Sequence, residues 1–188
     1  MKIGVLGVQG DIREHVETLR SIGVDVEIVK KSEQLDEIDG LIIPGGESTT
    51  ISKLMKIAGL WDVVKNMVSD GFPVFGTCAG MIVLSRKVTN NPSQETLGVI
   101  DMDVERNAYG RQVNSFEVDL KIKGVDVPIR GVFIRAPRIV RMGSEVEVLA
   151  VHNGTPVFVR QGKIMAASFH PELSGSSHVH RIFLETLG

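Results

Sequence analysis

Apolar residues run almost unbroken over residues 2–8, as in a strand covered on both faces. Gln9-Gly10-Asp11 then makes a turn, with Asp11 placed to cap a helix. Ile12, Val16, Leu19 and Gly23 recur at helical spacing, and Arg13, Glu14, Glu17 and Arg20 take the other side. His15 is grouped with these charged positions as a solvated residue. Residues 24–29 and 41–43 are two further apolar strands. This strand–helix–strand–strand order predicts a parallel sheet with helices on both faces. A helix with Ile51, Leu54, Met55 and Ala58 on its buried stripe follows, then a second over residues 61–68. A short strand at 73–75 leads into an apolar helix at 79–84.

The pattern changes beyond residue 97. Phe116, Val118, Leu120 and Ile122 alternate with Glu117, Asp119 and Lys121 within 113–123, the mark of a half-buried antiparallel strand. Residues 145–151 and 155–160 flank His152-Asn153-Gly154, and Asn-Gly is a strong two-residue hairpin turn. Another strand spans 163–169, and a closing helix carries Val179, Ile182, Phe183 and Leu187. No linker separates the halves. The expectation is one α/β domain over residues 1–188. Its three layers are a mostly parallel sheet flanked by helices, with an antiparallel extension in the C-terminal half.

Composition narrows the function classes. A net charge of −2 over 188 residues gives no electrostatic footprint for nucleic acid or acidic lipid. The single cysteine excludes an internal disulfide and suits a reducing cytoplasm. The N-terminal apolar stretch is too short for a signal peptide, and no run reaches the ~18 apolar residues of a membrane span.

That one cysteine stands in Gly76-Thr77-Cys78-Ala79-Gly80, between the strand at 73–75 and the apolar helix. The G-x-C-x-G pattern describes a nucleophile elbow, a sharp turn that holds its central side chain clear of the sheet. Glycines two residues to either side permit close packing of helix on strand. A thiol at a helix N-terminus is activated by the helix dipole, although a lone cysteine is also a common buried apolar residue. A cysteine nucleophile needs a base, and the base an orienting group. His170 ends the strand at 163–169, Pro171 favours an extended backbone there, and Glu172 follows two residues on. In an extended segment the two side chains project to one side, so the carboxylate can hold one imidazole nitrogen and leave the other for the thiol. His178 and His180, two apart, do not share a helix face and lack the partners of a metal site.

The Pro44-to-Ser48 loop lies at the same sheet edge as the elbow, where open α/β sheets bind ligands. Gly45-Gly46 matches no phosphate-loop spacing. It fits half of an oxyanion hole, with the Ala79 amide as the other half. Ser48 or Thr49 is a candidate cap for the helix that follows. Of Arg106, Arg111, Arg130, Arg135, Arg138 and Arg141, at least one must reach the crevice if the substrate carries a free carboxylate.

Together these motifs resemble the class I glutamine amidotransferases with a Cys-His-Glu triad. Within them the chain is similar to the glutaminase subunits of pyridoxal 5′-phosphate synthases. The resemblance covers G-V-L-G-V-Q-G with R-E-H after it, P-G-G-E-S-T-T at 44–50, G-T-C-A-G, V-E-R-N-A-Y-G-R-Q at 104–112, G-V-F-I-R-A-P at 131–137 and S-F-H-P-E at 168–172. It implies a flavodoxin-like sheet and hydrolysis of L-glutamine to L-glutamate and ammonia, with Cys78, His170 and Glu172 as the triad. It implies that the amides of Gly46 and Ala79 form the oxyanion hole. Gly46, Glu47, Ser48, Arg106, Ile134 and Arg135 would bind glutamine. It further implies a separate barrel-shaped synthase subunit, assembled with this chain in a large hetero-oligomer and using the ammonia. No cofactor and no metal are implied for this chain. Two other readings stay open at the level of sequence: a cysteine peptidase-like hydrolase of similar fold, and a non-catalytic docking module.

Overall fold

The computed structural model describes residues 1–109 and 115–188. Arg111, Gln112 and the first residues of the strand expected at 113–123 lie outside them. The chain begins β1 (Lys2–Leu6), α1 (Ile12–Ser21), β2 (Asp25–Val29), β3 (Gly40–Ile43), α2 (Ser48–Ile57) and α3 (Trp61–Ser69). It continues through β4 (Val74–Thr77), α4 (Ala79–Leu84), β5 (Ser85–Val88), β6 (Ile100–Glu105) and β7 (Ser115–Leu120). The remainder is β8 (Ile129–Ile134), β9 (Arg138–Met142), β10 (Glu147–His152), β11 (Thr155–Gln161), β12 (Ile164–Ala167) and α5 (His178–Glu185).

Seven strands form the main sheet in the order β10-β11-β12-β4-β3-β1-β2. The strands from β12 to β2 are parallel, while β11 and β10 add antiparallel pairs at one edge. The sheet thus takes strands from both halves of the chain. Side chains alternate between two apolar layers. Leu41, Ile43 and Val74 pack with Ile51, Met55, Val64 and Met81 from α2, α3 and α4. Ile3, Val5, Ile42 and Phe75 pack with Val16, Leu19, Val179 and Phe183 from α1 and α5. Burial on both faces explains the unbroken apolar runs of the central strands.

The antiparallel extension is larger than a sheet edge. β5, β6 and β9 form a second sheet, and β7 pairs with β8 in a third. Along β7 the expected alternation holds, with Glu117 and Asp119 exposed and Leu120 buried. Asn153 and Gly154 close the β10–β11 hairpin at φ 48° and 76°, as a two-residue turn with both central residues left-handed requires. Among the described residues no helix is long and apolar enough to cross a membrane.

β12 lies beside β4 and parallel to it, with Ala167 opposite Thr77. This register brings the elbow and the exit of β12 to the same carboxyl edge. β3 is β4's other neighbour, so the Gly45-Gly46 loop opens there too.

Candidate active site

β4 passes into α4 through Cys78, whose backbone stands at φ 48°, ψ −104°. A non-glycine residue in this region carries strain that surrounding packing must hold, and such residues cluster at functional sites. Here the hold is the seat of α4 on the sheet. At Gly80 an added Cβ would overlap the carbonyl oxygen of Ile43 and stand 2.9 Å from its carbon. The Cys78 thiol donates weakly to the carbonyl of Ile134 at 3.7 Å.

His170 is buried and lines the same cavity as the thiol. Its Nδ1 lies 2.7 Å from Oε1 of Glu172 and 3.2 Å from Oδ2 of Asp11. Burial alone would lower its pKa. The neighbouring Asp11, Cys78 and Glu172 side chains outweigh this and push it up to about 12. Glu172 is raised as well, by burial, against the opposing hydrogen bond and charge of His170. The route from His170 to Glu172 differs from the extended segment the sequence suggests. His170 is extended, but Pro171–Leu173 forms a 3₁₀ turn with Pro171 in its first turn. Proline's fixed φ suits the start of a helical turn, and that turn swings Glu172 back under the imidazole.

A cavity of about 270 Å³ opens over the thiol. Gly46, Glu47, Ser48, Arg106, Ile134 and Arg135 all line it, together with Asp11, Cys78, Ala79 and His170. Arg130, Arg138 and Arg141 do not; each pairs with an exposed or half-exposed carboxylate elsewhere. Ala79 opens α4, so its amide is among the helix N-terminal donors without an intrahelical acceptor. Gly46 sits at φ +154°, and the next amide, of Glu47, donates to Oε1 of Gln9 at 2.9 Å. Arg106 reaches Oε1 of Glu47 at 3.0 Å and Oε1 of Gln94 at 2.9 Å. The Gln94 amide in turn donates to the buried Ser48 hydroxyl at 2.7 Å.

Three local expectations change. Asp11 makes no side-chain cap on α1; its carboxylate turns to His170 instead. The cap of α2 is Glu47, whose carboxylate accepts from the amides of Thr49 and Thr50, rather than Ser48 or Thr49. Ser48 is buried and held by Gln94, so it cannot turn to the helix end. His15 is fully buried rather than solvated. The signal was present: His15 stands three residues after Ile12 and four before Leu19, on the apolar stripe itself. Treating an imidazole as a charged-side residue hid it.

The Glu47 cap carries a pH signature. Its carboxyl is partly desolvated, which opposes the shift, yet hydrogen bonds from Thr49 and Thr50 lower it from 4.5 to about 2. A depressed folded-state pKa adds stability that is complete above the unfolded value and lost as pH falls through the folded one. Glu47→Ala is expected to cost about 1 kcal/mol at pH 6, after allowing for solvent screening of a partly exposed group. That cost shrinks between about pH 4.5 and 2. Urea midpoints of both proteins across this range check it; a cost that does not vary with pH would exclude the ionised cap.

Among the described residues, the group of metal-ligand type is Asp11, His170 and Glu172, with ligand atoms within 4.8 Å of one another. Both carboxylates address the same Nδ1, the arrangement that holds an imidazole N–H, and a cation there would have to displace that proton.

The pyridoxal 5′-phosphate synthase subunit PdxT of Thermosipho africanus is 55% identical over 184 residues, covering 98% of this chain and 97% of that protein. The PdxT subunit of Kosmotoga olearia is 53% identical over 188 residues, covering 100% and 98%. A solved structure described as a glutamine amidotransferase superposes with a TM-score of 0.95 at 51% identity, covering 99% of this chain and 98% of that one. The model of the SNO glutamine amidotransferase family matches residues 5–188, and the chain belongs to that family.

Proposed function

We propose that the chain hydrolyses the side-chain amide of L-glutamine and passes the ammonia to a separate pyridoxal 5′-phosphate synthase subunit. The observation that carries this is a cysteine held at φ 48° on a strand–helix elbow, beside a histidine whose Nδ1 is 2.7 Å from a buried carboxylate. The relatives' description as synthase subunits supports the destination of the ammonia.

With the thiol proton already on His170, Cys78 Sγ attacks the amide carbon. Glu172 and Asp11 hold the imidazole through Nδ1 and favour its charged form. The C–N bond then breaks, and His170 returns the proton to the departing ammonia. Water attacks the thioester, again giving a proton to His170. The C–S bond breaks, and glutamate leaves as the thiol regains its proton. The amides of Gly46 and Ala79 serve both tetrahedral intermediates, each donor worth about 10²–10³ in rate. Glutamine lies against Gly46, Glu47, Ser48, Arg106, Ile134 and Arg135. Arg135 makes no ion pair among the described residues and lines the cavity, which suits it to a substrate carboxylate.

The partner is a barrel-shaped synthase subunit in a hetero-oligomer, and the cytoplasm is where the one thiol stays reduced. The test is an ammonia assay on glutamine, with the chain alone and with the synthase subunit added. Turnover is expected to be low alone and to rise on addition. Equal turnover in both would refute the coupling, and no ammonia in either would refute the glutaminase reading.

A further inference from the structure

Behind Glu172 the triad continues into a buried imidazole pair that the reaction as written does not use. His15 of α1 and His180 of α5 are both 0% exposed, and Nδ1 of His15 lies 2.9 Å from Nε2 of His180. Nε2 of His15 points at the site: it lies 3.2 Å from the Thr77 hydroxyl, one residue before the nucleophile, and 3.4 Å from Oε2 of Glu172. That carboxylate oxygen is buried without a hydrogen-bond partner of full geometry, as is Nδ1 of His180. The groups facing His15 are therefore His180 from α5, Thr77 from β4, and Glu172 with His170 from the exit of β12.

The two orphaned atoms select one proton arrangement. Suppose His15 carried its proton on Nδ1. A bare Nε2 lone pair would then face a carboxylate oxygen, and His180 would bury an N–H with no acceptor. Buried N–H groups are rarely orphaned, and acceptors tolerate it better. In the opposite arrangement His180 Nε2–H donates to His15 Nδ1, and His15 Nε2–H lies between the Thr77 oxygen and Oε2 of Glu172. Only an acceptor lone pair on His180 is then left over. Burial keeps both rings neutral: His15 is lowered well below the ordinary histidine value, by desolvation first and then by His180 and His170, and His180 falls to about 4.

We infer that His15 is a positioning residue of this glutaminase: fixed by His180 as the Nε2–H tautomer, it donates to Oε2 of Glu172 and keeps the other oxygen on His170. This rests on the glutaminase reading. The donor holds the carboxylate ionised in a site whose burial works against ionisation, and it fixes the plane in which Oε1 meets Nδ1. Losing it lets Glu172 take up a proton at higher pH and release the imidazole.

The test uses the full chain with its synthase subunit and saturating glutamine. His15→Met, which fills the space without a donor, is expected to lower kcat about ten-fold or more with KM nearly unchanged. It also moves the acid limb of the kcat–pH profile upward. His15→Gln, whose amide N–H reaches the same position, is expected to restore kcat to within a few fold of wild type. Nitrogen-15 NMR of the unmodified chain is expected to show neutral His15 protonated on Nε2. Wild-type kcat and pH profile in His15→Met, or an Nδ1–H tautomer in the native chain, would overturn the inference. If His15→Met does not fold, an Nε2–H tautomer with near-wild-type kcat in His15→Gln supports it, and a Gln variant as slow as an inactive site overturns it. Absence of ammonia from the wild-type complex would instead sink the glutaminase reading, and the tautomer decides the geometry separately.

Discussion

Cys78→Ala is expected to remove ammonia release from glutamine in the presence of the synthase subunit, by about 10⁴-fold or more in kcat. The size follows from the chemistry. Without Sγ no thioester forms, and His170 has no proton to take. The oxyanion donors and the binding residues remain, so glutamine still binds, but only direct attack by water is left. The fold is expected to survive. Among the described residues the thiol's hydrogen bond is a weak donation to the Ile134 carbonyl at 3.7 Å. Alanine keeps the same Cβ and so the same backbone strain at φ 48°. An unchanged unfolding midpoint, glutamine binding by calorimetry and lost turnover together give the expected pattern. Glutaminase activity within ten-fold of wild type would end the case for Cys78 as nucleophile.

Gly80→Ala is expected to cost about 3 kcal/mol or more of stability, although it adds one methyl group to a helix and alanine is the better helix former. The methyl would overlap the backbone carbonyl oxygen of Ile43, which belongs to β3 and cannot rotate aside like a side-chain tip. Relief requires α4 to lift from the sheet. Gly76 also meets α4 closely from below, with Gly80's carbonyl carbon 2.5 Å from a Cβ placed there. Lifting α4 also releases the strain at Cys78, so activity should fall further than stability predicts. Urea unfolding reads the first effect and turnover at low temperature, where the variant remains folded, reads the second. A loss below about 1 kcal/mol would show that the close approach of α4 to β3 is not what holds the elbow.

Much of this was legible from spacing. The apolar runs of β1, β3 and β4 are unbroken because both faces of a parallel strand are covered, and covered faces leave a continuous signal. The elbow was legible because its glycines are demanded by a packing distance. His170 and Glu172 were legible as a pair, but through the wrong geometry: Pro171 opens a 3₁₀ turn rather than prolonging a strand. The choice of Arg106 and Arg135 among six arginines had no local signal. Both line the cavity because β6 and β8 end beside it, a consequence of strand pairing across the chain.

The sequence by itself determined the class of fold, the strand–helix elbow with its single thiol, and the His-Pro-Glu segment, since each depends on residues within one element or one turn. Tertiary structure alone decided where polar side chains point once elements pack. It turned Asp11 from a helix cap to His170, made Glu47 the cap of α2, and buried His15 between α5 and the carboxylate of Glu172. The physical reason is that an apolar residue's fate is set by periodicity, because burial needs no particular partner. A buried polar group must find a donor or acceptor, and that partner here stands up to 165 residues away in the chain.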